Sequence, residues 1–351
     1  VINRIFWTLL AISLLISLSS CSLSPEIEGT TVTAKPTDVP MITLPATKIP
    51  TEPKRLIFIN RMHGWENVSA DLIEYFQALA NQQNWEYRSF QAILEPTDLE
   101  DARLIIIFGG EEDVSSLIES HPDTMFMLIA VHGATPSKGV AVIGPDGIRA
   151  DKVAFLSGLI SALVTPEWRI GVLAIGDTGQ GLAELESYIQ GAIFFCGLCQ
   201  PAYPPYHVYP TSIRVSDTST GSIQVGLEQL KALSVSTIGF THEFQTEMID
   251  LAIGAFSSPR SLWIGPTTPS ESYRAQWVAT VRPDPARVMG DIFERLIEGD
   301  EQILVPMPIG LFEINESVLS EGKLRFILSA VDDLEVGVID TGVDPQTGEP
   351  Q

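Results

Sequence analysis

From residue 54 onward, short uninterrupted apolar runs alternate with stretches whose apolar residues recur at helical spacing. The run 103–108 (RLIIIF) stops at Gly109 and Gly110, and 125–131 is a second such run. Continuous β-branched runs of this length read as central parallel strands covered on both faces. Between them, 68–82 places Leu72, Ile73, Phe76, Leu79 and Ala80 on one helical face, and 150–164 (ADKVAFLSGLISALV) is an apolar helix with small residues suited to close packing. The order then repeats. Strands are expected at 169–175, 207–215, 237–241, 260–264 and 277–281, and helices at 182–195, 221–233, 244–253 and 285–298. The segment 303–312 reads as extended and 320–334 as a last helix. This βαβα order predicts an α/β fold of two doubly wound parallel-sheet lobes joined by hinge strands.

The chain of 351 residues is long enough for two such lobes. The break between them is expected at 165–168. Lobe 1 then comprises 54–165 with a return of about 283–312. Lobe 2 comprises 166–282 with about 313–335, and 336–351 reads as a flexible tail. A formal charge of −23, from 21 basic against 44 acidic residues, argues against a nucleic-acid partner, which requires a basic patch.

The first residues carry a different signal. Arg4 precedes an apolar run over 6–18, about the length of a signal-peptide core and short for a membrane span. It ends in Leu18, Ser19, Ser20 and Cys21, a string that resembles the bacterial lipobox. The resemblance implies cleavage after residue 20, lipidation of Cys21 and an extracytoplasmic, lipid-anchored protein. Residues 22–53 hold 15 Ser, Thr or Pro among 32, which reads as a semi-rigid tether over 21–53. At ~3 Å per residue it could hold a domain up to ~100 Å from the membrane.

Catalytic signatures are missing from the sequence. There is no G-x-S-x-G elbow, no Walker loop and no carboxylate pair at a recognisable spacing, so no enzyme and no cofactor are expected. The pair Cys196 and Cys199 could be a redox couple, half of a zinc site or a local disulfide. No second Cys pair completes a Cys₄ site, and the motif ends a helix rather than beginning one, which favours a structural disulfide outside the cytoplasm. His63, His121, His132, His207 and His242 never pair at i,i+4, and His242 with Glu243 alone does not make a metal site. The turn 176–181 (GDTGQG) could cradle an anion or be an ordinary βα turn.

In an open parallel sheet, ligands bind beyond the carboxyl ends of the strands. The residues expected there are Trp65, Gly110, Glu111, Asp177, His242, Glu243, Thr267 and Arg282. Glu111, Asp177 and Glu243 would make the cleft acidic, with Arg282 the one cation of the set, so a neutral or cationic polar ligand is expected. Trp65 could stack on a planar ligand or cover the core at a helix start.

Residues 151–168 (DKVAFLSGLISALVTPEW), followed by RIGVLAIG, resemble the "AFLAGYLAALMTKTGKVGFVGG" stretch of the basic membrane protein family. Weaker matches are Tyr188 to Ala192 against its "GFxAGA", His121-Pro122-Asp123 against its "PDVKF", and 278–284 against its return to the first lobe. These are lipoprotein substrate-binding components of importers, several of which bind purine nucleosides, with the type I periplasmic-binding fold. The resemblance implies a small solute held between two lobes and an ABC permease as partner. The ligand loops differ. Residues 62–69 (MHGWENVS) replace an "FNDxSFN"-like string, 240–244 (FTHEF) replace "AGGTG", and 265–268 (GPTT) replace the "GVDSDQ" whose first Asp commonly holds a ribose. The alternative reading is a ligand-free sensor or interaction protein on the same fold.

Overall fold

Two six-stranded sheets carry the molecule, each wound with helices on both faces. The computed structural model describes residues 54–91, 96–110, 114–176, 178–256, 258 and 260–351. Cys21, the apolar run before it and the expected tether lie outside them.

The first lobe begins with β1 (Arg55–Asn60), α1 (Glu66–Gln83), β2 (Glu86–Phe90) and β3 (Ala102–Phe108). It continues through α2 (Ser115–Ser120), β4 (Met125–Ile129), β5 (Val140–Ile143) and α3 (Ala150–Val164). The second lobe follows with β6 (Ile170–Ile175), α4 (Gly179–Phe195), β7 (Thr211–Val215), α5 (Thr220–Ala232), β8 (Thr237–Phe240), α6 (Thr246–Phe256), β9 (Leu262–Gly265) and β10 (Trp277–Pro283). The chain then runs through α7 (Ala286–Glu298), β11 (Ile303–Val305), β12 (Ile309–Phe312) and α8 (Glu321–Glu335). The sheet orders are β11-β5-β4-β3-β1-β2 and β12-β10-β9-β8-β6-β7. Among the described residues, every pairing between these strands is parallel except β12 against β10. In both sheets the strand order reverses beside the first strand of the lobe, so the loops after β1 and β6 stand at the switch points.

The segment 303–312 is not one extended return to the first lobe. Pro306 and Pro308 lack backbone N–H donors and interrupt it. Ile303–Val305 pairs with β5 in the first sheet, whereas Ile309–Phe312 pairs antiparallel with β10 in the second. The expected strand at 207–215 begins only at Thr211, after Pro210. Helix α8, assigned by sequence to the second lobe, buries Ile327, Ala330, Val331 and Leu334 in the core of the first. Residues 336–351 are not loose. Thr341 is buried and donates to Asp151 at 2.9 Å, and Val343 bridges Pro350.

Helix α3 ties the lobes together. All of its residues except Lys152 and Leu163 are buried. A Cβ on Gly158 would stand 2.0 Å from the Tyr188 carbonyl oxygen, and one on Gly191 would stand 1.9 Å from that of Phe155. The two glycines therefore let α3 and α4 approach backbone to backbone. Tyr188 fills the space beside them, its hydroxyl donating to Ser161 Oγ at 2.7 Å, and burial pushes its pKa up. Helix α7 closes the first lobe by burying Met289, Ile292, Phe293 and Leu296, a stripe at i, i+3, i+4 and i+7. Each such side chain contributes about 1.5–3 kcal/mol on burial. The same core includes Ile264, Val278 and Val281 of the second lobe, so one apolar cluster spans the crossover.

Candidate functional site

The loop leaving β1 and the loop leaving β8 meet face to face. Trp65 precedes α1 and is buried in the first core, with its carbonyl accepting from Ser69 Oγ at 3.2 Å. One face of its indole lies parallel to the His242 imidazole, with centroids 5.4 Å apart and 8° between planes. Gly64, at φ +82°, leaves room for the ring, since a Cβ there would be 3.2 Å from His242 Cδ2. Beside this stack, Asn67 Nδ2 donates to the Pro266 carbonyl at 2.9 Å. A third tie crosses nearer the hinge, where Arg282 Nη2 donates to Asp71 Oδ2 at 2.5 Å and the guanidinium lies 3.9 Å from the centre of the Phe312 ring.

His242 is gripped from within its own lobe. Its backbone N–H donates to Glu184 Oε2 at 2.8 Å, and its Nδ1 lies against Glu184 Oε1. Glu243 Oε2 stands 3.4 Å from the same Nδ1. The Glu184 side chain, only 3 % exposed, rises from the first turns of α4, whose N-cap Thr178 accepts from Gly181 N at 3.0 Å. Burial alone would lower the His242 pKa, but Glu184 and Glu243 outweigh it and the net shift is upward. Burial likewise pushes Glu184 up against the opposing pull of His242. The ligand atoms of Glu184, His242 and Glu243 lie within 4.8 Å of one another, a donor set that could take a cation. An imidazolium held between two carboxylates accounts for the same arrangement.

Cavities open at the carboxyl edge of the first sheet. One of about 470 Å³ is lined by Val114, Ser115, Ile118, Val131, His132 and Thr135 among others. The backbone N–H of His132 donates to the Gly110 carbonyl at 3.3 Å. A second of about 330 Å³ lies on the outer side of the Trp65 loop, between Asn60, Met62, His63, Glu66, Ser69 and Gln91.

Of the residues expected at the cleft, Trp65, His242 and Glu243 are brought together. Thr267 follows Pro266 at the lobe contact, and Gly110 does not line the larger cavity but accepts from the backbone of His132, which does. Arg282 is buried and occupied by Asp71 and Phe312. Glu111 and Asp177 lie outside the described residues. The structure adds Glu184, Asn67 and Asp71, which sit on helical faces with no motif around them. It also adds Arg61, whose guanidinium lies against Gly110. Cys196 and Cys199 are joined in a disulfide, away from these groups.

No family model matches the chain, and no curated protein matches it in sequence. Solved structures do. It is similar to an ABC transporter solute-binding protein from Conexibacter woesei at TM-score 0.60 and 12 % identity, over 82 % of this chain and 98 % of that one. It is similar to ABC transporter solute-binding proteins from Aeropyrum pernix at 0.51 and 14 %, over 84 % of each chain. It is also similar to a transcriptional activator of the comK gene from Bacillus halodurans at 0.53 and 13 %, over 80 % of this chain and 96 % of that one. The likeness establishes the class of fold, a two-lobed α/β protein of the periplasmic-binding type. Among the described residues, no helix is long and apolar enough to cross a membrane.

Proposed function

We propose that the chain is the solute-binding component of an ABC-type importer, a divergent relative of the basic membrane protein lipoproteins. In this reading Cys21 carries a lipid on the extracytoplasmic side of the membrane, and the two lobes deliver a small polar solute to a permease. The observation that carries it is the opposition of Trp65 and Asn67 on one lobe to His242 and Pro266 on the other, across the switch points of both sheets. The walls offer a flat indole, an imidazole, amide donors and several carboxylates. That set suits a neutral or cationic polar solute with a planar part, a nucleoside among them.

Thermal-shift screening of the full chain over nucleosides, sugars and amino acids tests the reading. Saturable stabilisation by one class supports it, and no stabilisation by any class contradicts it.

A second reading is a ligand-free sensor or interaction protein. It is favoured by the direct contact of Trp65 with His242, which uses the indole face that a solute would otherwise take. In that case the lobes stay in contact and the panel gives no saturable binder.

A further inference from the structure

The loop at 196–210, between α4 and β7, takes no part in the lobe contact, yet it is built in detail. It is 15 residues long without regular structure, a length that in compact domains usually marks function. Its backbone is turned inward. The buried guanidinium of Arg169 donates to the carbonyls of Tyr203, of Pro204 at 3.3 Å and of Pro205 at 3.1 Å. The Cys196–Cys199 disulfide clamps its start, and Tyr209 packs edge-on against Trp168 at its end. Its apolar side chains are turned outward: Leu198 is 95 % exposed, Tyr203 67 %, Tyr206 71 % and Val208 82 %. Phe194, two residues before the disulfide in α4, is half exposed as well. Four large apolar side chains exposed along one short stretch of fixed backbone mark a contact surface.

Charge says what the surface meets. About one residue in eight of this chain is acidic, yet 187–213 contains no Asp, Glu, Lys or Arg. The nearest preceding acid outside α4, Glu167, is paired with Arg169 at 3.6 Å. A chain of net charge −23 is repelled by an anionic bilayer everywhere except where carboxylates are missing. Tyr rings favour the level of lipid headgroups, and exposed Leu and Val favour the acyl boundary just below. We propose that the 196–210 loop rests in the interfacial layer of a lipid membrane, with Leu198 and Val208 deepest and Tyr203 and Tyr206 at the headgroups. Such a contact would fix the orientation of the second lobe on the membrane, whatever solute the cleft holds.

Hydroxyl-radical footprinting with mass-spectrometric readout tests this on the full chain, with and without vesicles of phosphatidylethanolamine and phosphatidylglycerol. Oxidation of Tyr203 and Tyr206 should fall about fivefold on vesicles, as interfacial burial excludes water, while that of Leu304 in the first sheet is unchanged. In a chain carrying Leu198→Ser, Tyr203→Ser, Tyr206→Ser and Val208→Ser, oxidation of Phe194 should become independent of vesicles, with an unchanged circular-dichroism spectrum showing that it folds. Equal reactivity of the two tyrosines with and without vesicles overturns the proposal. So does protection that arises without vesicles as protein concentration rises, which would assign the surface to a second copy of the chain.

Discussion

Trp65 and His242 lie in parallel planes, 8° apart, although they are 177 positions apart in the chain and stand on loops that leave strands of different sheets. The stack, with the Asn67–Pro266 hydrogen bond beside it, is where the two lobes touch on the cleft side. It makes Trp65 at once a core residue of the first lobe and the seat of the second. Replacing it with Ala should cost about 3–5 kcal/mol through the lost core volume. It should also widen the angle between the lobes. Urea unfolding reads the first effect, and an increase in the radius of gyration by small-angle scattering reads the second.

The His242 cluster predicts a pH dependence. Both His242 and Glu184 have pKa values raised in the folded protein, so the folded state holds protons that the unfolded state releases. Stability from the cluster is therefore present at low pH and lost as pH rises through the folded values. The urea midpoint should fall as pH rises above the ordinary values of the two groups, 4.5 for Glu184 and 6.5 for His242. Glu184→Gln, which removes the buried carboxylate against Nδ1, should flatten that slope.

Gly158→Ala should destabilise the protein by about 3 kcal/mol, because the new Cβ meets a backbone carbonyl that cannot rotate away. The 2.0 Å approach to the Tyr188 oxygen leaves no rotamer to choose. Gly221→Ala, on α5 where nothing lies within 4 Å, should be neutral or slightly stabilising. Chemical denaturation of the two variants compares them directly.

The Asp71–Arg282 pair predicts an asymmetry. Arg282 is buried and also packs on Phe312, whereas Asp71 is substantially exposed. Removing Asp71 should cost about 1 kcal/mol, near the upper end for a partly solvated pair. Arg282→Ala removes the packing as well and should cost more. Thermal melts of the single and double variants measure the coupling.

The alternation of strands and helices was legible because uninterrupted runs such as 103–108 have no good home except a parallel sheet covered on both faces. The small residues of 150–164 likewise announced close packing, which Gly158 and Gly191 realise. The placement of β12 was not legible. A four-residue strand carries no mark of which sheet it will join, and its antiparallel pairing with β10 is decided by the prolines before it and by tertiary contact. Trp65 and His242 could be named from their positions after strands, but not their stacking, which depends on how the lobes close. Glu184 was hidden for a simpler reason. A glutamate inside a helix reads as a solvated face until its neighbours in space are known.

The central claim, a solute site between the lobes, is tested most directly by titrating the full chain with the solute class that the thermal screen selects. The proposal predicts saturable binding that weakens about tenfold or more in Trp65→Ala, the loss of one stacking contact being worth about 1.4 kcal/mol. It predicts further weakening in the double variant with Glu243→Gln, whose carboxylate stands beside His242, and no change in Glu298→Ala on the exposed face of α7. Binding that survives loss of both Trp65 and Glu243 would contradict it and place the site elsewhere.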